Sequence, residues 1–298
     1  MHNILVTGGQ GFIGYNLIKR LVDLGHKVYS VDNGSTGKNF VDGCKYGFND
    51  VSLQDQLSNF IEVHTEQNID IIFHLASLAR IQPSFKNPIK TMKNNFMGTL
   101  NMLEVAKKIN AQFIYAGSSS KHHGLYKSPY AWSKFGGEEL CKLYNTIYNL
   151  NTVTCRFYNV YGDKQIEDGD FATVIGIFEK QYREKQPLTI VGDGEQKRDF
   201  THVDDIVSGL VACIGKKFKS DVFELGRGKN YSINDVANMF GKNYPKKYIS
   251  KRKGEYDHTL ADYTKALKEL KYFPTKNLKS YIKSKIQLKK QERIYNYA

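Results

Sequence analysis

The chain opens on a short apolar run, Asn3–Thr7 (NILVT). Glycines follow at once, and then apolar residues recur at helical spacing from Phe12 to Leu24. A brief apolar run bounded by turn residues predicts a buried strand, and recurrence every three or four residues predicts an amphipathic helix. The alternation continues. Lys27–Asp32 (KVYSVD), Ile69–Leu75 (IDIIFHL) and Gln112–Ala116 (QFIYA) read as strands. A polar helix is expected near Leu53–Gln67, and a second helix over Asn94–Ile109, where Phe96, Leu100 and Leu103 share a face. Strands and helices alternating at this spacing predict an α/β fold with a doubly wound parallel sheet, whose ligands bind beyond the carboxyl ends of the strands. The second half is less regular. Thr152–Phe157 and Leu188–Val191 read as strands, and Val203–Ile214 carries Ile206, Val207, Leu210 and Ile214 on one helical face. The Lys-rich stretch Lys276–Arg293 retains Leu278, Ile282, Ile286 and Leu288, which predicts a terminal helix with a solvated basic face.

The first strand-to-helix junction carries chemistry. Thr7–Gly14 reads TGGQGFIG, with Gly8, Gly11 and Gly14 at three-residue spacing. Such a turn lets the backbone approach a pyrophosphate, lets helix and strand pack closely, and aims the free N–H groups of a helix N-terminus at phosphate. Asp32 ends the next strand. A carboxylate there accepts hydrogen bonds from both ribose hydroxyls and repels a 2′-phosphate, so the expected cofactor is NAD rather than NADP.

A second constellation follows Gln112–Ala116. The strand runs into Gly117-Ser118-Ser119-Ser120, and Tyr130 and Lys134 follow in YAWSK. Positions i and i+4 share a helix face, so phenol and ammonium can point into one cleft. A phenol is too weak a base at neutral pH, and a neighbouring positive charge favours its ionised form. Tyr-x-x-x-Lys occurs four times, at Tyr15, Tyr130, Tyr272 and Tyr281, and only the copy at Tyr130 follows a serine-bearing loop at a strand's carboxyl end.

These residues resemble the NAD-dependent nucleotide-sugar epimerase/dehydratase family of extended short-chain dehydrogenases/reductases. Further segments in family order carry the resemblance: VDN at Val31–Asn33, FHLA at Phe73–Ala76, NFMGT at Asn95–Thr99, RFYNVYG at Arg156–Gly162, GDGEQKRDFTHVDD at Gly192–Asp205 and ADYTKA at Ala261–Ala266. The resemblance implies a Rossmann-like NAD domain over 1–165, to which 200–235 returns, and a smaller mixed α/β substrate domain built from 166–199 and 236–298. It also implies a homodimer joined by a four-helix bundle, and a nucleotide-sugar substrate, most simply a UDP-sugar. By the same resemblance Gly8, Gly11 and Gly14 hold the pyrophosphate, Asp32 the ribose and Asp50 the adenine. Phe12, Ile13, Asn33, Val51, Leu75, Ala76 and Asn95 are the further expected cofactor contacts. Tyr130 and Lys134 form the catalytic pair, with Lys134 also on the nicotinamide ribose. Ser118 is the catalytic hydroxyl when counted from the strand, and Ser119 when counted back from Gly124. Asn159, Arg198 and Arg252 are expected on the substrate phosphates, where a guanidinium fork meets phosphate oxygens bidentately.

Epimerases, dehydratases, decarboxylases and reductases share the Tyr/Lys pair, so the site must decide the reaction. The 4,6-dehydratases and the decarboxylases resemble a pattern with a carboxylate in the serine loop, and here the three positions read Ser118-Ser119-Ser120. The simplest expectation is 4-epimerisation through a transient 4-keto sugar. A 4-keto-sugar reductase consuming cofactor, and a non-enzymatic NAD-binding descendant, remain open at this point. The loop departs from the family in Lys121-His122-His123-Gly124. Adjacent loop residues point apart, so solvated or substrate-facing histidines are expected rather than a metal site. Thr259, counted along RKGEYDHTLAD, falls where the family gates space near the sugar's 2-substituent, and a threonine leaves room for an N-acetyl group.

Composition narrows the setting. With 43 Lys+Arg against 30 Asp+Glu in 298 residues the formal charge is +13. Part of that excess has a use on a diphosphate substrate, and the scattered lysines read as surface composition rather than a nucleic-acid footprint. Four cysteines without a CxxC pair fit a reducing compartment, and no apolar run approaches a membrane span. The expectation is a cytoplasmic enzyme with no metal, no nucleic-acid partner and no membrane association.

Overall fold

The computed structural model describes residues 1–53 and 69–295. The helix expected near Leu53–Gln67 falls almost wholly outside them. Seven strands form one parallel sheet: β1 (Asn3–Thr7), β2 (Lys27–Asp32), β3 (Cys44–Phe48), β4 (Ile71–His74), β5 (Gln112–Ser118), β6 (Thr152–Phe157) and β11 (Asp221–Leu225), while the short strands β7 (Val160–Tyr161), β8 (Leu188–Val191), β9 (Lys197–Asp199) and β10 (Thr201–His202) lie outside it. Their spatial order is β11-β6-β5-β4-β1-β2-β3. Chain order reverses at β1 and β4, where Ile4 pairs with Ile71 and Val6 with Phe73. Connections leave these two strands toward opposite sides of the sheet and open a crevice at their carboxyl ends. Ile4, Leu5, Val6, Ile72 and Phe73 are fully buried, as a sheet covered on both faces requires.

Helices close both faces. Helix α1 (Phe12–Asp23) and the later helix Val203–Val211 share one apolar cluster with β1, β4, β6 and β11. On the other face, Met102, Leu103 and Ala106 pack with Leu5, Ile72, Phe113 and Cys141. A third cluster stands apart, built from Ile175, Phe178, Leu188, Ile190, Val236, Phe240, Leu278 and Ile282. The Lys-rich C-terminal helix (Leu278–Tyr295) contributes Leu278, Ile282 and Ile286 to that cluster, while Leu288 is exposed.

The connection from β4 to β5 differs from the single helix expected over Asn94–Ile109. It consists of α2 (Ile81–Lys86), α3 (Pro88–Met92), a π-helical turn (Lys93–Met97) and α4 (Gly98–Ile109). The turn accommodates two buried asparagines, Asn94 and Asn95. Strands β3 and β11 carry no clear apolar run: CKYGF is a half-exposed edge, and DVFEL has Glu224 inside a polar network. Cys155 and Cys213 are buried with Sγ atoms 3.8 Å apart.

Candidate active site

A cleft of about 830 Å³ lies over the carboxyl ends of the strands. One end is the glycine turn. Gly8 has φ +74°, and a Cβ there would sit 2.7 Å from Ala76 N, so only glycine fits where β1 and β4 converge. A Cβ on Gly14 would lie 2.1 Å from Gly8 O, which fixes how closely α1 approaches the turn. Gly11 is the N-cap of α1 and has no side-chain capping bond. The first N–H groups of α1 therefore have no side-chain acceptor at the cleft. Phe12, Ile13, Asn33, Val51, Leu75 and Ala76 also line the cleft.

Asp32 is 8% exposed at the tip of β2 and lines the same end. Its carboxylate accepts from Gln10 N at 3.0 Å and Gly34 N at 2.8 Å. Burial raises its pKa, and the backbone donors pull it down. Two expected contacts behave differently. Asp50 does not line the cleft: it accepts from Ser52 and from Asn33 Nδ2, and so holds Asn33 and the Val51 turn in place. Asn95 is 1% exposed and also lies behind the wall. Its amide bonds Leu78 N at 2.7 Å, Leu78 O at 3.2 Å and Ser133 Oγ at 3.0 Å, which ties the β4 loop to the tyrosine helix. Its neighbour Asn94 is the residue that reaches the cleft.

That tyrosine helix is α6 (Pro129–Tyr148). Its start is written in the sequence. Ser128 caps Ala131 N at 3.1 Å, worth about 1 kcal/mol, and Pro129 takes the first helical position. Tyr130 thus falls in the first turn, where the helix dipole favours a phenolate. Its hydroxyl donates to Ser118 Oγ at 3.3 Å at the end of β5, and Ser119 lines the cleft beside it. Lys134 sits one turn on, 5% exposed, with Nζ 4.4 Å from the centroid of the Tyr115 ring. Burial pushes its pKa down to about 7 and raises that of Tyr130. The copies of the motif at Tyr15, Tyr272 and Tyr281 do not line the cleft.

Asn159, Arg198, Arg252 and Thr259 line the opposite end. Arg198 pairs with Glu255 at 3.2 Å. It does not pair with Asp199, whose buried carboxylate accepts from Ala261, Arg227 and Gly228. Arg252 is exposed at the rim. Thr259 Oγ1 accepts from Asn159 Nδ2 at 3.1 Å and Asp199 N at 3.0 Å, so this pair braces the cleft floor.

Residues 4–226 match the NAD dependent epimerase/dehydratase family. The chain belongs to this family. It is 32% identical to a UDP-glucuronate 4-epimerase of Thermodesulfobacterium geofontis over 96% of each chain. It superposes on the crystal structure of a UDP-glucose 4-epimerase with UDP-glucose from Thermotoga maritima with a TM-score of 0.89, 28% identity and coverage of 97% of this chain and 99% of that one. A UDP-glucuronic acid 4-epimerase from Bacillus cereus, in complex with UDP-glucuronic acid and NAD, gives 0.85, 30%, 97% and 99%.

NAD is the family's cofactor, and the cradle fits it: Gly8 and Gly14 leave no room for a Cβ, and the Asp32 carboxylate lines the same end of the cleft. Other residues line the epimerase-family cleft or brace it from behind. Arg80, at the N-cap of α2, lines it and donates to Phe171 O. His74 is fully buried and bridges Thr7 and Thr99, with its pKa pushed down to about 3 by burial. The His122 side chain is 41% exposed and is also held by a polar network. Its Nε2 lies 2.5 Å from Glu224 Oε1 and 3.0 Å from Arg156 Nη1, and Arg156 in turn grips Glu138. That network pins the turn after Ser118 to β6 and β11. Its signal in the sequence was only a pair of carboxylates and an arginine far apart in the chain.

Proposed function

We propose that the protein is a UDP-sugar 4-epimerase, acting on a UDP-hexose or UDP-N-acetylhexosamine. The observation that carries this reading is the Ser118–Tyr130–Lys134 set facing a cleft whose serine loop offers no carboxylate. Among the described residues, the three carboxylates that line the cleft are already engaged: Asp32 by backbone N–H groups, Asp170 by Lys86 and Glu255 by Arg198. Elimination of water needs a further acid and base at the sugar, and this cleft supplies neither there.

Bound NAD supplies reversible oxidation at C4. Tyr130 takes the proton from the C4 hydroxyl, and Ser118 Oγ shares that oxygen and orients it. Lys134, buried and beside Tyr115, holds the ribose end and contributes positive charge when protonated. Tyr130 then returns the proton after the 4-keto sugar has turned over. Arg198 and Arg252 meet the diphosphate, with Asn159 and Thr259 shaping the floor beneath the sugar. Thr259 leaves room beside the 2-substituent, so UDP-N-acetylglucosamine is turned over alongside UDP-glucose. Parallel assays of the purified enzyme test this, and no turnover of the acetylated sugar sinks it.

The third apolar cluster supports assigning 166–199 and 236–298 to a substrate-binding unit. A homodimer is proposed through α6 and the turn before α4, where Met97, Trp132, Leu143 and Ile147 are exposed. Among the described residues, no helix is long and apolar enough to cross a membrane.

A further inference from the structure

Arg80 is explained neither by the glycine turn nor by the Tyr130–Lys134 pair. It caps α2, which packs against α6, and Tyr130 is the second residue of α6. The guanidinium is held in place twice. Nε donates to Phe171 O at 3.0 Å, and Nη1 donates to Ala79 O at 3.0 Å. Both anchors are neutral carbonyls. Among the described residues no carboxylate forms an ion pair with Arg80, whereas Arg198 in the same cleft has Glu255. Arg80 is half-buried, and charges withdrawn from water are ordinarily paired, so an arginine fixed at a cleft wall without a carboxylate points to a negative charge that arises in the cleft itself.

Tyr130 lines the same cleft, at the start of the helix that α2 packs against. Burial lowers the Arg80 pKa while Tyr130 raises it, and the effect is mutual: burial raises Tyr130, and Ser118 and then Arg80 lower it. Ser118 at the end of β5 accepts from Tyr130, Lys134 lies one turn on in the same helix beside Tyr115, and Arg80 and Tyr256 line the same cleft. Of these described residues, Lys134 and Arg80 are the cationic ones. Lys134, with its pKa near 7, loses its proton across the working range, whereas a guanidinium keeps its charge throughout.

We propose that Arg80 is a second positioning cation of the reaction, a guanidinium fixed by Phe171 and Ala79 so that its charge faces the Tyr130 phenolate during proton transfer. The proposal rests on the 4-epimerase reading. It predicts that the chain keeps a base at Tyr130 even where Lys134 has become neutral.

The test is the pH dependence of kcat for the NAD-loaded enzyme on UDP-glucose, for wild type, Arg80→Gln and Arg80→Lys. Arg80→Gln is expected to lose about tenfold at pH 7 and to recover above pH 9, its acid limb moving up by about one unit. NAD content and KM should stay unchanged, and Arg80→Lys should restore most of the rate. An equal loss at every pH, or no loss, overturns the proposal. So does a loss confined to UDP-glucuronate, which would make Arg80 a receptor for a sugar carboxylate. A parallel measurement separates this proposal from the reaction assignment. Nuclear magnetic resonance of ring-labelled tyrosine, with Tyr130→Phe to assign the signal, should show the phenol titrating at higher pH in Arg80→Gln even if no UDP-sugar is epimerised.

Discussion

At the scale of single residues, the hydroxyl of Ser118 and the phenol of Tyr130 share one hydrogen bond, while the ammonium of Lys134 lies over Tyr115. Tyr130→Phe should therefore cut kcat by about 10³-fold or more with NAD still bound, because the proton has no other acceptor of comparable position. Ser118→Ala should cost about tenfold to a hundredfold, and Ser119→Ala far less. Steady-state kinetics on the three variants checks this, and a larger loss at Ser119 contradicts the geometry. Lys134 makes a second prediction, on stability. Its folded pKa, about 7, is depressed below the ordinary value, so the unfolded chain binds more protons between the two. Stability therefore rises with pH from about 7 toward 10, by up to about 1.4 kcal/mol per pH unit from this group, and the gain is absent below about pH 7. Thermal unfolding of the cofactor-free protein should show that slope, and Lys134→Met should remove it.

At the scale of elements, the glycine turn separates folding from binding. A Cβ at Gly14 meets backbone at 2.1 Å, whereas one at Gly11 finds only Gly8 O at 3.3 Å and otherwise faces the cleft. Gly14→Ala should lower the melting temperature by several degrees, because α1 must move away from the turn. Gly11→Ala should leave melting nearly unchanged while weakening NAD binding by about tenfold or more. Calorimetry on both variants distinguishes the two effects. The turn was legible because its spacing, strand and helix lie within 24 residues. So was the start of α6, since Ser128-Pro129 is a local signal. Elements held by distant partners were not. β3 is a half-exposed edge strand, β11 takes its place by pairing with β6 and burying Phe223 and Leu225, and Asn95 turns inward in a π-helical turn that no periodicity announces. Arg80 was missed for the same reason: its role depends on Phe171 and Tyr130, both far away in the chain.

At the scale of the molecule, the cleft joins the glycine turn of the parallel sheet to a floor made by β9 (Lys197–Asp199) and Thr259. Asp199 fastens that floor, accepting from residues 227, 228 and 261. The exposed stripe of Trp132, Leu143 and Ile147 on α6 should be covered in solution. Light scattering should report twice the 34.1 kDa chain mass, and Ile147→Asp should return it to one. A monomeric wild type would contradict the proposed dimer. The central claim is chemical, and one measurement meets it most directly: nuclear magnetic resonance of products from UDP-glucose and related UDP-sugars incubated with the NAD-loaded enzyme. The account predicts the 4-epimer, with the C4 hydrogen retained and no net accumulation of reduced cofactor. Loss of water or carbon dioxide from the sugar, or stoichiometric consumption of cofactor, would contradict it.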